Sequence, residues 1–228
     1  MSKRPPKKSD LDKNWMRPRK SRELLIAPEY HLIFCEGTKT EPFYFKEIKN
    51  KINQKYPNRI NLEIQGEGVS TSNLLEKAKK YVQNSANTYK HVWLVYDKDD
   101  FLAEDFDETE TRCKTLTLEN NGEPSYHALW SNPCIELWFL LHFCFINTEM
   151  LRAQYLENLS DYMQSCGLGL YKKNREDMYT VLSKYREQAI QNAKNLEKYH
   201  PPQTNPSQKV PMTKVYTFFE YLADYLKD

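Results

Sequence analysis

The sequence lacks the cysteine patterns of a disulfide-stapled or zinc-binding protein. Its 228 residues include five cysteines, an odd number, and none of them forms a Cys-x-x-Cys pair. Such a set excludes a regular disulfide framework and argues against a cysteine-ligated zinc ion. The five histidines also show no metal-binding spacing. We therefore expect a cytoplasmic protein whose cysteines are reduced.

Long apolar runs and several familiar motifs are missing too. The longest apolar run, residues 137–145, is interrupted by His142 and is too short to span a bilayer. No apolar segment follows the basic N-terminus, so we expect neither a secretory signal nor a membrane partner. Residues 37–40 (GTKT) lack the spacing of a phosphate-binding loop, and residues 66–68 (GEG) lack the third glycine of a dinucleotide fingerprint. The sequence has no Gly-x-Ser-x-Gly elbow, the motif that would indicate a serine hydrolase.

The net charge of +2 hides a strongly basic start. Residues 1–22 contain nine Lys or Arg and two Asp, so this segment carries +7 and the remainder −5. A basic, Pro-containing, aromatic-poor stretch is typical of a disordered segment that binds polyanions by counterion release. We assign residues 1–28 to this leader and name Arg17, Arg19 and Lys20 as candidate nucleic-acid contacts. A solubilising tail or an expression remnant would have the same composition.

Short apolar runs alternate with helical patterns from residue 30 onward. Apolar or period-two segments predict strands, and apolar residues three and four apart predict helices. This β-α-β-α-β-α-β-α order favours an α/β, Rossmann-like, mainly parallel sheet flanked by helices, which we assign to a catalytic core over residues 29–147. The predicted strands are residues 31–35, 59–65, 91–96 and 125–130, and the predicted helices are residues 41–56, 73–84, 104–116 and 131–143.

The pattern changes to helices alone beyond about residue 148. Its clearest apolar stripe lies in residues 211–226, where five large apolar side chains recur at helical spacing. We predict a helical C-terminal region over residues 148–228 that packs on the core or on a partner. The last helix of the core should start at residues 131–133, because Ser and Asn are preferred caps and Pro is favoured at the first helical position.

Acidic residues stand at the ends of three predicted strands. Glu36 follows the first, Asp97 and Asp99 follow the third, and Glu136 comes after the fourth. Ligand sites of doubly wound sheets lie at the carboxyl ends of the strands, so these side chains converge if the first and third strands are neighbours. Side chains two apart in an extended segment point the same way, so Asp97 and Asp99 should aim together while Lys98 points away.

Such a cluster predicts a metal site. Carboxylates held close together repel one another unless a cation lies between them. Oxygen ligands without a nearby Cys or His cluster select Mg²⁺ or Mn²⁺ over zinc, and these ions can stabilise a phosphodiester and activate water. Glu36 is the best candidate for proton transfer, because its strand-end position can be enclosed.

Each acid also has a purely structural interpretation. An Asp-x-Asp pair after a strand is more often a loop or a helix cap than a metal site. Glu41 lies three residues after Thr38, which fits a capping box. Glu136 lies in the first turn of a predicted helix, where the helix dipole favours an acid. The joint spacing of the acids, and not any one residue, predicts the metal site.

These residues lie in motifs that resemble the RloB-like family, a branch of the Toprim superfamily. The resemblance covers about residues 30–225, and its third block is the most specific. Residues 205–207 (NPS) are a weaker match, and the Gln-Lys that follows, where relatives tend to have Thr, puts a site role for that loop in doubt. The three blocks are Phe34-Cys35-Glu36-Gly37-x-Lys39-Thr40-Glu41-Pro42-x-Tyr44-Phe45, Tyr96-Asp97-x-Asp99-Asp100 and Ser131-Asn132-Pro133-Cys134-x-Glu136-Leu137-Trp138-x-Leu140-Leu141-His142-Phe143.

The resemblance implies a Toprim-like fold and a role for each acid. Toprim domains use a strand-end Glu as general acid/base and an Asp-x-Asp pair for Mg²⁺. Carried over to this sequence, that implies Glu36, Asp97 and Asp99 as catalytic residues and metal ligands. By similarity to OLD-type Toprim nucleases, Glu41 would contribute to a second metal ion, and Glu136 would be a further metal-site acid.

For function, the resemblance implies a metal-dependent nuclease. We also name Lys39 and Lys98, which lie beside the acids in the sequence, as candidate contacts to DNA or RNA. RloB-like proteins are associated with restriction-linked or phage-defence loci and a partner ATPase of AAA or ABC type, which implies the effector of a defence system. Two alternatives stay open. One is a catalytically weak Toprim subunit that binds or regulates within an ATPase complex, and the other is a Toprim ribonuclease acting on tRNA or other structured RNA. A homo-oligomer is compatible with each.

Overall fold

A computed structural model describes residues 27–68, 71–99 and 102–227 of the chain. No helix within these ranges has both the length and the apolar character that crossing a membrane requires. The described strands are β1 Glu29–Cys35, β2 Ile60–Gly66, β3 Tyr89–Asp97, β4 Ser125–Asn132 and β5 Met212–Thr213. The described helices are α1 Thr40–Lys55, α2 Thr71–Asn84, α3 Ala103–Glu119, α4 Glu136–Leu140, α5 Arg152–Ser165, α6 Met178–Leu182, α7 Arg186–Tyr199 and α8 Val215–Tyr221, with short 3-10 turns at Ser183–Tyr185, Pro206–Gln208 and Ala223–Tyr225.

The described strands form one five-stranded sheet in the order β2-β1-β3-β4-β5. The first four strands run parallel, while β5 pairs antiparallel with the end of β4. From β1 the chain moves to β2 on one side, and from β3 it moves to β4 on the other. A crevice therefore opens between the carboxyl ends of β1 and β3. The expected α/β fold, with a mainly parallel sheet flanked by helices, is confirmed.

Helices cover both faces of this sheet, because side chains alternate along each strand. Trp93 of β3 packs edge-on against Phe218 of α8, with ring centres 5.2 Å apart. Tyr96, three residues further on, points to the other face and packs against Phe106 of α3 at 5.3 Å. With both faces covered, β3 is buried over almost its whole length, and this is why its central residues 92–96 (VWLVY) are apolar.

The C-terminal region joins the core that the strands build. Buried residues of α5, α7 and α8 belong to the same hydrophobic cluster as those of β1 and β3. In addition, Met212 and Thr213 of β5 pair with Asn132 and Ser131 of β4. The expectation that the chain beyond residue 148 forms helices alone is therefore wrong, because β5 supplies an edge strand of the sheet.

Two predicted helix starts are wrong because a strand takes the residues concerned. The helix predicted over residues 211–226 begins at Val215, since the chain before it is extended in β5. The helix predicted from residues 131–133 begins at Glu136, since β4 runs on to Asn132. The Asn132 amide donates to two main-chain oxygens from a distant part of the chain, at 3.0 and 3.2 Å, and does not cap the helix.

A buried histidine makes the core sensitive to acid. The ring of His142 lies 4.9 Å from the ring of Trp138, and its Nδ1 lies 2.9 Å from the Trp138 main-chain oxygen. Because a carbonyl oxygen can only accept, Nδ1 carries a proton and donates it to this bond. Burial lowers the pKa of His142 to about 4, so the ring is neutral at pH 7.

Replacing His142 with Gln should make folding less sensitive to acid. A histidine whose pKa is lower in the folded protein binds more protons when the chain unfolds, so stability is lost as the pH falls from 6.5 toward about 4. Between pH 7 and pH 5, wild type should lose about 2 kcal/mol more free energy of unfolding than His142→Gln. Urea denaturation at the two pH values measures this, with His200→Gln as the matched control. Equal losses in wild type and His142→Gln would contradict the prediction.

Candidate metal centre

The carboxyl ends of β1 and β3 place Glu36 and Asp97 next to each other. Glu36 directly follows β1, and its main-chain N–H donates to the carbonyl of Val95 at 2.9 Å. Asp97 is the last residue of β3, and its main-chain N–H donates to the Glu36 carboxylate at 3.2 Å. Both side chains line the cavity that opens at the crevice between the two strands.

Asp99 reaches the same cavity by a different route from the one expected. β3 ends at Asp97, and Asp99 has a φ of 36°, in the left-handed region that Asp tolerates better than most residues. Its main-chain N–H donates to the carbonyl of Pro133 at 3.0 Å. The extended alternation proposed from the sequence is therefore wrong as an explanation. Asp97 and Asp99 nevertheless line one cavity, and Lys98 is not among its described lining residues.

Glu41 enters the cavity from the first turn of α1. Its side chain is buried, at 8% exposure. Lys39 is the N-cap of α1 and there is no side-chain cap hydrogen bond, so the capping box with Thr38 does not form. Gly37 passes so close that a Cβ there would overlap the Glu41 carboxylate. The turn after β1 therefore needs glycine at this position to keep Glu41 in place.

Glu136 is the first residue of α4 and is also buried. Its Oε1 accepts a hydrogen bond from the Tyr171 hydroxyl at 2.9 Å. Its Oε2 has no hydrogen-bond partner within the described ranges, and the same holds for Oδ1 of Asp97. A buried carboxylate oxygen without a partner costs free energy unless a cation binds beside it. These two oxygens are therefore suited to metal ligation.

Three carboxyl groups of the cavity, those of Glu41, Asp97 and Asp99, have pKa values raised by burial and by neighbouring charge. Burial raises the pKa of Asp97 well above its usual value, and the charges of Glu41, Glu136 and Asp99 raise it further. Burial also raises the pKa of Glu41, with Glu136 and Asp99 adding to the effect. For Asp99, burial raises the pKa and the charge of Arg152 opposes the rise. Several negative charges therefore lie close together in this cavity, with too few positive charges beside them to offset their repulsion.

The donors of this cavity fit a hard divalent cation. The cavity has a volume of about 540 Å³, and its five carboxyl side chains outnumber its three cationic ones. No Cys or His side chain is among the described residues that line it. Oxygen-only ligation with a negative balance is what Mg²⁺ and Mn²⁺ prefer. The acids are Glu36, Glu41, Asp97, Asp99 and Glu136, and the cations are Lys39, Arg152 and Lys173.

Two of these cations come from the C-terminal region and were not found from the sequence. Arg152, at the start of α5, forms an ion pair with Asp99. Lys173 lies between α5 and α6, and its main-chain oxygen accepts a hydrogen bond from the Thr40 hydroxyl at 2.9 Å. Both residues are more than a hundred positions from Glu36 along the chain, so no local motif marks them.

Other residues named from the sequence are either outside the described ranges or do not line the cavity. The motif residue Asp100 is outside the described ranges. Residues 205–207 do not line the cavity within the described structure, and Ser207 instead donates through its main-chain N–H to Asp107 of α3 at 2.7 Å. The candidate contacts of the basic leader are also outside the described ranges, and they are Arg17, Arg19 and Lys20.

A second group of ligand-type side chains lies toward the amino ends of the strands. One oxygen of Glu29 and one ring nitrogen each of His31 and His91 lie within 4.8 Å of one another, so this group could hold a metal ion. The spacing of histidines along the sequence gave no sign of it, because the ligands come from two strands. Both nitrogens of His91 are already engaged, with His127 at 3.0 Å and with the Tyr221 hydroxyl at 2.6 Å.

The neighbours of His31 favour a neutral ring. The indole N–H of Trp93 can only donate, so His31 Nδ1, 3.3 Å away, accepts. The proton of the neutral ring is then on Nε2, which faces Glu29 at 3.8 Å. Burial lowers the pKa of His31 to about 3. Nε2 of His31 is also a buried atom without a hydrogen-bond partner within the described ranges, and a metal ion at this nitrogen would displace its proton.

Replacing Asp97 with Asn should stabilise the metal-free protein at neutral and alkaline pH. Because folding raises the pKa of Asp97 above 3.8, its stabilising contribution is present below that pH and is lost as the pH rises through the folded-state pKa. Asn cannot ionise and keeps an oxygen that accepts hydrogen bonds. In EDTA, Asp97→Asn should exceed wild type by on the order of 2 kcal/mol in free energy of unfolding at pH 8, and by little at pH 4. Urea denaturation measures both differences.

The control is Asp161→Asn, on the exposed face of α5, which should change neither value. Saturating Mg²⁺ should stabilise wild type and narrow the gap to Asp97→Asn, because a bound cation offsets the charge that the variant removes. A variant no more stable than wild type at pH 8 would show that charge repulsion at Asp97 is not a cost to folding.

The comparison with known proteins agrees with the motifs. No curated protein and no solved structure gives a match. A family model described as RloB-like protein matches residues 31–222, a range that includes every acid and every cation of the cavity. Since this match covers most of the chain, the protein belongs to the RloB-like family.

Proposed function

We propose that this protein is a Mg²⁺- or Mn²⁺-dependent, Toprim-type nuclease that cleaves nucleic-acid phosphodiesters. One observation carries the proposal. Five carboxyl side chains, drawn from the ends of β1 and β3 and from the starts of α1 and α4, line a single open cavity, and two of their buried oxygens lack a hydrogen-bond partner within the described ranges. Without a cation, such a group of buried acids lowers the stability of the folded protein. With a cation bound, the same acids serve as its ligands.

The roles of the acids follow from their positions. Asp97, Asp99, Glu41 and Glu136 would hold the divalent cation or cations. A cation bound there would neutralise charge on the phosphate and lower the pKa of a water molecule. Glu36 borders this set, accepts a hydrogen bond from the main chain of Asp97 and is less buried than Asp97. We assign to Glu36 the proton transfer between water and the leaving oxygen, together with a place at the edge of the ligand set.

The surroundings of the cavity suit a phosphate backbone. Lys39 and Lys173 both line it, and both side chains are exposed to solvent. Lysine is a common phosphate ligand, and contacts to phosphate carry no information about base sequence. The proposal therefore includes both DNA and structured RNA such as tRNA as substrates, and both are to be tested.

The biological setting is proposed from the family alone. Membership in the RloB-like family leads us to propose an effector of phage defence that works in the cytoplasm with an ATPase of AAA or ABC type. The gene beside this one is the first place to look for that ATPase. The nuclease chemistry of the cavity does not depend on this part of the proposal.

Purified protein should nick or cut labelled DNA or tRNA with Mg²⁺ or Mn²⁺, and EDTA should stop the reaction. Asp97→Ala and Glu36→Ala should each lower the cleavage rate by about 10³-fold or more, because one removes a ligand and the other the proton-transfer group. Gel assays on both substrates, with and without the neighbouring ATPase, measure this. Glu119→Ala, an exposed acid at the end of α3, is the matched control and should cut normally.

Cleavage that continues in EDTA, or normal cleavage by the two alanine variants, would contradict the site assignment. Binding of cation and nucleic acid without any cleavage would favour the alternative of a catalytically weak subunit. In that case wild type would bind divalent cation and nucleic acid, the Asp97 variant would bind less cation, and no substrate would be cut with or without the ATPase.

Deleting residues 1–22 should weaken nucleic-acid binding and flatten its dependence on salt. The deletion removes nine basic side chains, and each lost phosphate contact lowers the slope of log affinity against log salt by about 0.9 for duplex DNA. Fluorescence anisotropy over about 50 to 200 mM salt measures the slope. Full-length protein and the deletion variant should differ most at low salt. The same affinity and slope for both would show that the leader does not bind nucleic acid.

A further inference from the structure

The C-terminal region supplies an ion-pair partner to an acid of the cavity. Arg152 is the first residue of α5, and its Nη1 pairs with Oδ1 of Asp99. The Arg152 side chain is 41% exposed and that of Asp99 is 24% exposed. The guanidinium carries five N–H donors in a planar fork, more than one carboxylate oxygen can use. Arg152 therefore neutralises Asp99 while it keeps donors on the solvent side of the cavity.

A divalent cation and the guanidinium would compete for the same carboxylate. Asp99 lies at the end of the Asp-x-Asp motif and lines the cavity together with Asp97, Glu41 and Glu136. A doubly charged ion among several acids attracts Asp99 more strongly than one half-exposed guanidinium does. Released from Asp99, Arg152 would stay at the cavity, because α5 packs on α4 and fixes its first residue there. The group that guanidinium binds best, in a planar two-point fashion, is a carboxylate or a phosphate.

We propose that Arg152 is an exchangeable counter-ion of the site. It neutralises Asp99 when no cation occupies the cavity, and it binds a phosphate oxygen of the nucleic acid when Asp99 binds the cation. This inference rests on the proposed nuclease function and adds to it a substrate-binding residue from outside the sequence motifs. It also gives the C-terminal region a direct part in the site, beyond packing on the sheet.

The inference predicts two effects of opposite sign from one substitution. Arg152→Gln removes a competing positive charge, so the protein without nucleic acid should bind Mn²⁺ about tenfold more tightly. The same substitution removes a phosphate ligand, so an oligonucleotide should bind about tenfold more weakly. Calorimetry with Mn²⁺ alone measures the first effect. Fluorescence anisotropy with a labelled oligonucleotide and saturating Mn²⁺, in a Glu36→Ala background that prevents cleavage, measures the second.

Arg112→Gln is the matched control. Arg112 is an ion-paired arginine of nearly the same exposure, 40%, and its partner is Glu76 on α2. This control should change neither affinity, because neither residue lines the described cavity. Arg152→Lys tests the geometry: it keeps the charge, so Mn²⁺ affinity should stay near that of wild type. Oligonucleotide affinity should be only partly restored, because lysine cannot make the two-point contact.

An unchanged or weaker Mn²⁺ affinity in Arg152→Gln would overturn the inference, and so would an unchanged oligonucleotide affinity. Neither result depends on catalysis, so each is distinguishable from failure of the nuclease proposal. Suppose that wild type cuts nucleic acid, Asp97→Ala does not, and Arg152→Gln has wild-type affinities. The nuclease proposal is then supported, and the proposed role of Arg152 is contradicted. If no substrate is cut but Arg152→Gln shows both affinity changes, the proposed exchange of Arg152 is supported, and it operates in a subunit that binds nucleic acid without cutting it.

Discussion

Repulsion among five carboxyl groups held in one cavity is the constraint on which the rest of this structure depends. Burial and mutual charge raise the pKa of Asp97 and Glu41, and two buried carboxylate oxygens have no hydrogen-bond partner within the described ranges. Native folds rarely keep such groups, since each costs free energy that only a partner can offset. Divalent cations bound in the cavity would offset these charges, and the surrounding elements fix the positions of the acids.

Each of these elements fixes one acid by a different physical means. The pairing of β1 with β3 sets Glu36 beside Asp97, and the absence of a side chain at Gly37 leaves room for Glu41. The Tyr171 hydroxyl orients Glu136 from a segment beyond α5. The aromatic core on both sheet faces supplies the rigidity that such an arrangement needs. The site is therefore a property of the whole described fold and not of the strand ends alone.

The sequence predicted those parts of the structure that local patterns determine. Short apolar runs and one alternating segment gave the four parallel strands, and the convergence of the acids was expected on the condition that β1 and β3 are neighbours, which the sheet order meets. Local rules failed where a distant segment competes for the same residues. The strand β4 runs on to Asn132 because β5, eighty residues later, pairs with it, so the expected helix cap does not form. Arg152 and Lys173 were missed for the same reason, since only the packing of α5 and of the segment after it brings them to the cavity.

The two ends of the sheet show why titratable clusters with similar burial differ in use. Toward the amino ends, burial lowers the pKa of His31 to about 3 and of His127 to about 4, and the rings stack on Trp93 as neutral groups. There both ring nitrogens of His91 are hydrogen-bonded within the fold, while Nε2 of His31 is buried without a hydrogen-bond partner within the described ranges. At the carboxyl ends burial also favours neutral forms, but the acids open onto a cavity with cations at its edge. Protonation would remove the charge that a metal ligand needs, whereas a cation bound beside these acids would favour their ionised forms. The opening of the acids onto a cavity is why we place the proposed chemistry at the carboxyl end of the sheet.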